Sequence, residues 1–328
     1  MSEVRAKKAL GQHFLVDLNI ARKICDALSG GVRPEAGAET RAVAAGSADA
    51  DAEIRTRVAG YAGAGAEART MAAGSADARL AADTTAAGAP AAAEEERGGA
   101  VPCDVLEVGC GMGVLTQFLL RRGDITTYGA EIDPESVGYL HAHFPEFAPR
   151  LIEGDFLKMN LRERFPRGLK IIGNFPYNIS SQIFFKVLEH RDLVPECVGM
   201  IQKEVAVRIA EPPGSKEYGI LSVLLQAWYD IEYLFTVNET VFNPPPKVKS
   251  AVIRLRRNSV GRLGCDEALF VKVVKASFGQ RRKMIRNSLR AVFGDFGGAE
   301  HPFFTQRAEQ LSVADFVQLT NWVAANRK

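Results

Sequence analysis

The chain has 328 residues, of which 47% are hydrophobic and 24% are charged, and its formal net charge is +2 at pH 7. This length predicts about two folded units with a sizeable core, and no uncharged apolar run approaches the roughly 18 residues of a membrane span. Because the start also lacks the apolar core of a secretory signal, we expect a cytoplasmic protein with no membrane partner.

The first 100 residues divide into two parts. Residues 1 to 30 are expected to hold an N-terminal segment and a first helix. Residues 31 to 100 are rich in Ala and Gly, and AGAETRAVAAGSADA (36 to 50) recurs as AGAEARTMAAGSADA (64 to 78) with 12 of 15 positions identical. A solenoid would need more copies and a regular apolar face, so a disordered insertion, with transient Ala-rich helix, is the favoured prediction.

From residue 101 onward, short apolar runs alternate with helical patterns. VLEVG, TTYGAEID, RLIEGDF, KIIGNF and VGMIQKEVA predict strands, and LTQFLLRRG and SSQIFFKVLEH predict helices between them. This alternation predicts an α/β fold with a parallel, doubly wound, Rossmann-like sheet over residues 101 to 257. Residues 258 to 328 predict helices instead, in DEALFVKVVKASF, RKMIRNSLRAVF and SVADFVQLTNWVAAN, and therefore a small all-helical C-terminal domain.

Three glycines, Gly109, Gly111 and Gly113, follow the first strand of this region and lead into a helix. Glycines there let backbone N–H groups approach a ligand without interference from a Cβ. A dinucleotide fingerprint GxGxxG would need glycine at Val114 or Thr116, and no Walker lysine follows. Hydride transfer and phosphate cradling are therefore both disfavoured.

Two carboxylates end the next two strands. Glu131 lies 22 residues after Gly109, where a carboxylate accepts hydrogen bonds from the ribose hydroxyls of an adenosyl ligand. Asp155 ends RLIEGDF and is placed to accept from an adenine amine. Each alone reads equally well as a helix N-cap, but together with ExGxGxG they indicate S-adenosylmethionine.

A fourth strand ends in NFPY, residues 174 to 177. The Asn174 side-chain oxygen and the Phe175 carbonyl are expected to accept from an adenine amine, so that its lone pair points at the methyl group to be transferred. Pro176 holds the turn, and Tyr177 offers a face for a base taken out of its stack. For NxPY alone, a proline turn with a buried tyrosine is the simpler interpretation.

The chain resembles the ribosomal RNA adenine dimethyltransferase family, which methylates two adjacent adenosines near the 3′ end of small-subunit (16S) rRNA. The resemblance covers roughly residues 5 to 29 and 101 to 325. It rests on KKALGQHFLVD, EVGCGMGVLTQ, EIDPES, EGDFLK, GNFPYNIS, VFNPPPKVKSAVIRL, SFGQRRKMIRNSLR and RAEQLS. It implies a Rossmann-like S-adenosylmethionine-dependent methyltransferase domain and, as partner, the rRNA of an assembling small ribosomal subunit.

The resemblance also assigns residue roles. His13 and Leu15 would close over the methionine end of the cofactor, Gly109 would line its loop, Glu131 would hold the ribose and Asp155 the adenine. Asn174 would touch both cofactor and target amine, and Phe242 would stack on the target base opposite Tyr177. Without the family, Phe242 reads equally well as a core anchor beside three prolines.

The sequence departs from the family pattern at three places. Cys110 stands where proline is usual and Phe175 stands where leucine is usual; both changes are expected to be tolerated. The third departure is the insertion, which falls between the first helix and the first strand and is expected at the amino edge of the sheet.

Basic residues gather late in the chain. Residues 270 to 328 hold 10 Lys plus Arg against 4 acids, which favours a polyanionic partner over a solvated surface. Arg282, Arg286 and Arg290 are spaced as a stripe on a predicted helix. With Arg281 and Lys283 they are expected to meet RNA phosphates.

Three functions follow from these patterns. The first is small-subunit rRNA adenine N6-dimethylation, favoured by SFGQRRKMIRNSLR. The second is methylation of the large subunit by a resistance-type enzyme. The third is a non-catalytic RNA-binding or transcription factor, against which the intact NFPY and Glu131 argue. Neither metal nor disulfide is expected, because the five cysteines form no CxxC pair, and a monomer is expected.

Overall fold

The computed structural model describes residues 4–7, 10–30 and 102–327. The predicted insertion at residues 31 to 100 lies outside them, so its disorder remains a prediction. The described residues belong to one compact unit. None of their helices has the length and apolar character needed to cross a bilayer, and they contain no His, Cys, Asp and Glu cluster fit to hold a metal ion.

Nine strands are found among these residues. They are β1 (Phe14–Leu15), β2 (Cys103–Val108), β3 (Ile125–Glu131), β4 (Leu151–Glu153), β5 (Lys170–Asn174), β6 (Glu196–Gln202), β7 (Tyr229–Val237), β8 (Phe242–Asn243) and β9 (Ser250–Arg257). Seven of them form one sheet in the order β4-β3-β2-β5-β6-β9-β7, and β1 pairs with β8. The first five strands of the sheet are parallel to one another, as predicted, whereas β9 runs antiparallel to both of its neighbours, β6 and β7.

Ten α-helices pack around these strands. They are α1 (Leu18–Asp26), α2 (Thr116–Leu119), α3 (Pro134–His143), α4 (Leu161–Arg164), α5 (Ser180–Glu189), α6 (Lys203–Ala210), α7 (Ile220–Gln226), α8 (Glu267–Gly279), α9 (Ile285–Phe293) and α10 (Val313–Asn326). Two helices are shorter than predicted. LTQFLLRRG contributes only the four residues of α2, and α9 begins at Ile285 because Met284 is extended and bridges to Arg307.

Apolar side chains cover both faces of the sheet, which is why its strands read as nearly continuous apolar runs. Neighbouring residues of one strand enter different clusters: Val105 packs with α1, whereas Leu106 packs in the larger cluster on the other face. That larger cluster continues into the C-terminal helices, where Phe270 meets Trp228 edge-to-face at 6.0 Å. The helices after residue 257 therefore share their core with the sheet.

The residues that flank the insertion lie at the amino edge of the sheet. The ammonium of Lys170, the first residue of β5, donates to the Gly30 carbonyl at 3.1 Å. On the other side of the insertion, Cys103 begins β2. The carboxyl ends of the same strands lie at the opposite edge of the sheet.

Candidate active site

A cavity of about 180 Å³ lies at the carboxyl ends of β2, β3 and β5, and residues 10 to 14 form one of its walls. β2 is flanked by β3 on one side and by β5 on the other, so the strand order reverses at β2. This crevice is the usual ligand site of an open α/β sheet. The structure thus brings the glycine loop, both predicted carboxylates and most of NFPY to one place.

Two of the three predicted loop glycines line the cavity. Gly109 and Gly111 have φ of +76° and +53°, a region that side chains disfavour. A Cβ on Gly111 would lie 3.3 Å from the Phe14 ring. Gly113 does not line the cavity: a Cβ there would lie 2.5 Å from the Phe144 ring. Gly113 therefore has a packing role against Phe144, and its assignment to cofactor binding stays a prediction.

The Glu131 carboxylate is held by three backbone amides. Its Oε1 accepts from Ile132 and Asp133 at 2.9 and 2.8 Å, and its Oε2 accepts from Gly111 at 2.8 Å. Burial raises the pKa of Glu131, and these amides oppose that rise. A carboxylate has about four acceptor positions, so room remains for about one ribose hydroxyl.

Asp155 lines the cavity and also caps a short turn. Its Oδ1 accepts from the Leu157 amide at 2.9 Å at the start of the 3₁₀ turn Phe156–Lys158. The N-cap interpretation left open by the sequence is therefore correct for one oxygen. The other oxygen lies 3.9 Å from the ammonium of Lys158.

Three of the four NFPY residues line the cavity. The Asn174 amide group donates to the His13 carbonyl at 3.0 Å, which leaves the Asn174 side-chain oxygen as an acceptor. The Tyr177 hydroxyl lies 2.5 Å from the Ser250 hydroxyl, and its ring lies 5.3 Å from that of His13. Pro176 lies close to the glycine loop, since a Cβ on Gly109 would be 3.8 Å from the Pro176 ring.

The Phe175 side chain does not line the cavity. It is 1% exposed and packs edge-to-face on Phe184 at 5.9 Å, while its amide donates to the Met200 carbonyl at 3.0 Å. The predicted tolerance of phenylalanine here fits this arrangement, because the ring lies in the core. The role of the Phe175 carbonyl stays a prediction.

Cys110 also faces the core, and burial raises the pKa of its thiol. The side chain packs with Leu140 and Phe147. The loop therefore keeps its glycine geometry on the cavity side, while the unusual residue lies behind it.

Leu15 and Phe242 are not brought to the cavity. They face each other across the β1–β8 pair, are 2% and 4% exposed, and belong to the cluster beneath α1. The Leu15 side chain therefore packs in the core, while its cofactor role stays a prediction, and the burial of Phe242 favours the core anchor over the stacking face. The neighbouring Phe14 lines the cavity instead.

The sequence interpretation also missed several further residues of the wall. Among them are Leu10, Gly11, Gln12 and Ile132. Gly11 has φ +64°, and a Cβ there would lie 2.6 Å from the Asn178 side chain. The glycine in GQHF was the available signal, because a turn against another chain segment commonly requires one.

The predicted basic stripe is not a single helical surface. Arg281, Arg282 and Lys283 precede α9. Arg281 pairs with Glu309 at 3.7 Å, and the two arginines within α9 are also paired. These pairs are Arg286 with Glu300 and Arg290 with Asp295. Acidic neighbours therefore neutralise much of the predicted stripe.

Three exposed lysines belong to segments that are linked to residues of the cavity wall. Within the described part of the chain, Lys203, Lys247 and Lys249 have no acidic partner. The Lys203 amide donates to the Lys249 carbonyl at 2.9 Å. The loop that carries Lys247 and Lys249 joins two cavity contacts, because the His13 ring lies 2.9 Å from the Pro244 carbonyl and Ser250 bonds Tyr177. We call these three residues the lysine rim.

The geometry agrees with the comparisons to known proteins. A family model described as ribosomal RNA adenine dimethylase matches residues 102–325. The chain belongs to the ribosomal RNA adenine dimethylase family. The predicted family is thereby confirmed.

Relatives of this dimethylase-family chain carry a more specific name. Ribosomal RNA small subunit methyltransferase A of Porphyromonas gingivalis is 47% identical over 324 residues, which is 98% of each chain. The protein of the same name from Parabacteroides distasonis is 61% identical over 218 residues, covering 66% of this chain and 81% of its own. A solved dimethyladenosine transferase from Plasmodium falciparum matches 68% of this chain and 90% of its own, with 26% identity and a TM-score of 0.57. These matches confirm the predicted methyltransferase fold class.

Proposed function

We propose that this chain dimethylates the N6 amines of two adjacent adenosines near the 3′ end of small-subunit (16S) rRNA, with S-adenosylmethionine as methyl donor. The observation that carries the proposal is the meeting of NFPY with the glycine loop and Glu131 in one cavity. The names of the relatives support the small subunit over the large one.

The cavity residues fit an adenosyl ligand with a methionine end. Glu131 would receive a ribose hydroxyl, Asp155 the adenine amine, and Ile132, which is half exposed, would pack on the adenine face. The Gly109–Gly111 turn and the wall formed by residues 10 to 14 at His13 would surround the methionine end. When bound, S-adenosylmethionine supplies an electrophilic methyl group.

The NFPY residues act by orienting the target amine. An adenine N6 amine is a weak nucleophile because its lone pair is delocalised into the ring. The Asn174 oxygen and the Phe175 carbonyl, by accepting its two hydrogens, favour a pyramidal nitrogen. Tyr177 supports the flipped base. No strong base is needed, since the proton becomes acidic only after transfer, so the contribution is orientation and electrostatic positioning.

RNA would reach the cavity across the lysine rim. Unpaired ammonium groups attract phosphates without reading sequence, and Lys249 directly precedes Ser250, which bonds Tyr177. Arg282 and Lys283 remain further candidates for phosphate contacts. Recognition of one adenosine pair would then depend on the shape of the assembling subunit.

The test is incubation of the protein and labelled S-adenosylmethionine with immature small subunits, large subunits or naked RNA, followed by nucleoside analysis. We expect N6,N6-dimethyladenosine in the small-subunit sample. Label only in large subunits would favour the resistance-type alternative, and no label in any sample would sink the enzymatic proposal. Asn174→Ala should abolish turnover and leave weakened but measurable cofactor binding; near-normal turnover would rule out its acceptor role.

A further inference from the structure

Residues 10 to 14, which we call the strap, form one wall of the cavity. Their C-terminal end is fixed by pairing of Phe14 with Asn243 and by the contact between His13 and the Pro244 carbonyl. The cavity volume of about 180 Å³ is below the roughly 300 Å³ of the smallest typical ligand pockets. The position of the strap therefore decides how much room a nucleoside-sized ligand has in the cavity.

The N-terminal end of the strap is fixed by Lys7. Its ammonium contacts the Asp133 carboxylate and lies 3.0 Å from the Glu135 carboxylate. Gln12 joins the same cluster, since its side chain donates to Asp133 at 3.3 Å and accepts from the Lys7 amide at 2.8 Å. Lys7 and the strap are thereby connected to one buried carboxylate.

Asp133 links this cluster to the cofactor-binding carboxylate. Its side chain has no exposed surface, its amide donates to Glu131 at 2.8 Å, and its carboxylate caps α3. Burial by itself would raise the pKa of Asp133, but hydrogen bonds from Lys7, Gln12 and neighbouring groups outweigh it and lower the pKa. The hydrogen bond to Asp133 raises the pKa of Lys7. Both groups are thus charged near neutral pH, and loss of Lys7 would leave a buried carboxylate poorly compensated.

We propose that Lys7 is a latch whose ion pair with Asp133 keeps the strap closed over the cofactor and thereby sets the cofactor residence time. This inference rests on the proposed function only in taking S-adenosylmethionine as the ligand of the cavity. Lys7 acts through the strap and Asp133, so it is a positioning residue rather than a catalytic one.

The test measures S-adenosylmethionine affinity by calorimetry and its release rate by displacement, for the wild-type chain and for Lys7→Met. Methionine keeps most of the apolar stem and removes the charge. We expect the Kd and the release rate to rise about five- to tenfold at low salt. Because salt screens a partly exposed ion pair, the difference should shrink at high salt, and Lys7→Arg should recover much of the affinity.

Steady-state kinetics separate this role from RNA binding. For Lys7→Met, the KM for S-adenosylmethionine should change more than kcat. Arg162→Met is the matched control, since it removes an exposed pair with Asp192 at 2.7 Å, and it should leave the cofactor Kd unchanged.

Three results would overturn the latch. One is an unchanged Kd and release rate in a folded Lys7→Met protein, and another is a change confined to the KM for RNA. The third is a wild-type chain that does not bind S-adenosylmethionine, which would also overturn the proposed function. Binding by the wild-type chain with no effect of Lys7→Met would overturn the latch alone.

Discussion

Gly199 makes room for the ring of Phe175, and a methyl group there should disturb the NFPY turn. Gly173 and Gly199 are cross-strand partners on β5 and β6. A Cβ on Gly199 would lie 2.4 Å from Cε2 of Phe175 and 2.8 Å from Cδ2. Carbon atoms normally approach to about 3.5–4.0 Å, so the ring would have to move by about 1 Å. Its packing against Phe184 opposes that movement.

The cost of Gly199→Ala should depend on the size of residue 175. In the wild-type chain we expect a loss of about 1–3 kcal/mol in the free energy of unfolding, as for other overpacked cores, together with lower methyl transfer. Phe175→Leu alone should cost about 1–2 kcal/mol because it leaves a small cavity. The double variant should lose about 1–2 kcal/mol less than the sum of the single losses.

Gly173→Ala is the matched control. A Cβ on Gly173 would lie 2.5 Å from the Val108 carbonyl oxygen as well as 2.9 Å from the Phe175 ring. Because the backbone clash remains when the ring is replaced, Phe175→Leu should not rescue Gly173→Ala. Stability is measured by urea unfolding, from midpoints at constant m-value. Additivity within about 0.5 kcal/mol for Gly199→Ala and Phe175→Leu would refute the reasoning.

Three further expectations follow from the site. Leu15→Ala should cost about 2–4 kcal/mol of stability and change the cofactor Kd little. Phe14→Ala should raise the cofactor Kd more than it lowers stability, because Phe14 lines the cavity. An equal loss of affinity in both variants would contradict the assignment of Leu15 to the core face and Phe14 to the cavity face of β1. Burial raises the pKa of Glu107 from 4.5 to about 8, so the folded state holds a proton that the unfolded state releases. Wild-type stability should therefore fall by about 1.4 kcal/mol per pH unit between these values relative to Glu107→Gln, and parallel urea-unfolding profiles would contradict this. Lys247→Ala and Lys249→Ala should each weaken RNA binding and lower its salt slope by about one unit; an unchanged slope in both would remove the lysine rim from the RNA path.

Family membership and the α/β fold were predictable because their signals are local in the chain. Buried parallel strands need apolar residues on both faces, and the carboxyl ends of such strands meet at one edge. Residues at or just beyond the carboxyl ends of those strands, such as Gly109, Glu131, Asp155 and Asn174, therefore converge whatever the details of packing. To predict that these residues meet in one cavity, only the order of the strands in the sheet was needed in addition.

The remaining assignments depended on neighbours that are distant in sequence. Gly113 faces Phe144, and Leu15 faces Phe242 from the other end of the chain; no local pattern reports either contact. The spacing of Arg281, Arg286 and Arg290 likewise gave no indication of their acidic partners.

The sequence by itself determined the fold class, the family and the position of polar residues at the strand ends, because periodicity and turn residues act over a few positions. Only the tertiary structure decided which face of a two-residue strand meets the cavity, which cations stay unpaired, and how Lys7 reaches Asp133 across 126 residues. Each of these depends on burial and on charge pairing between segments that meet only after folding.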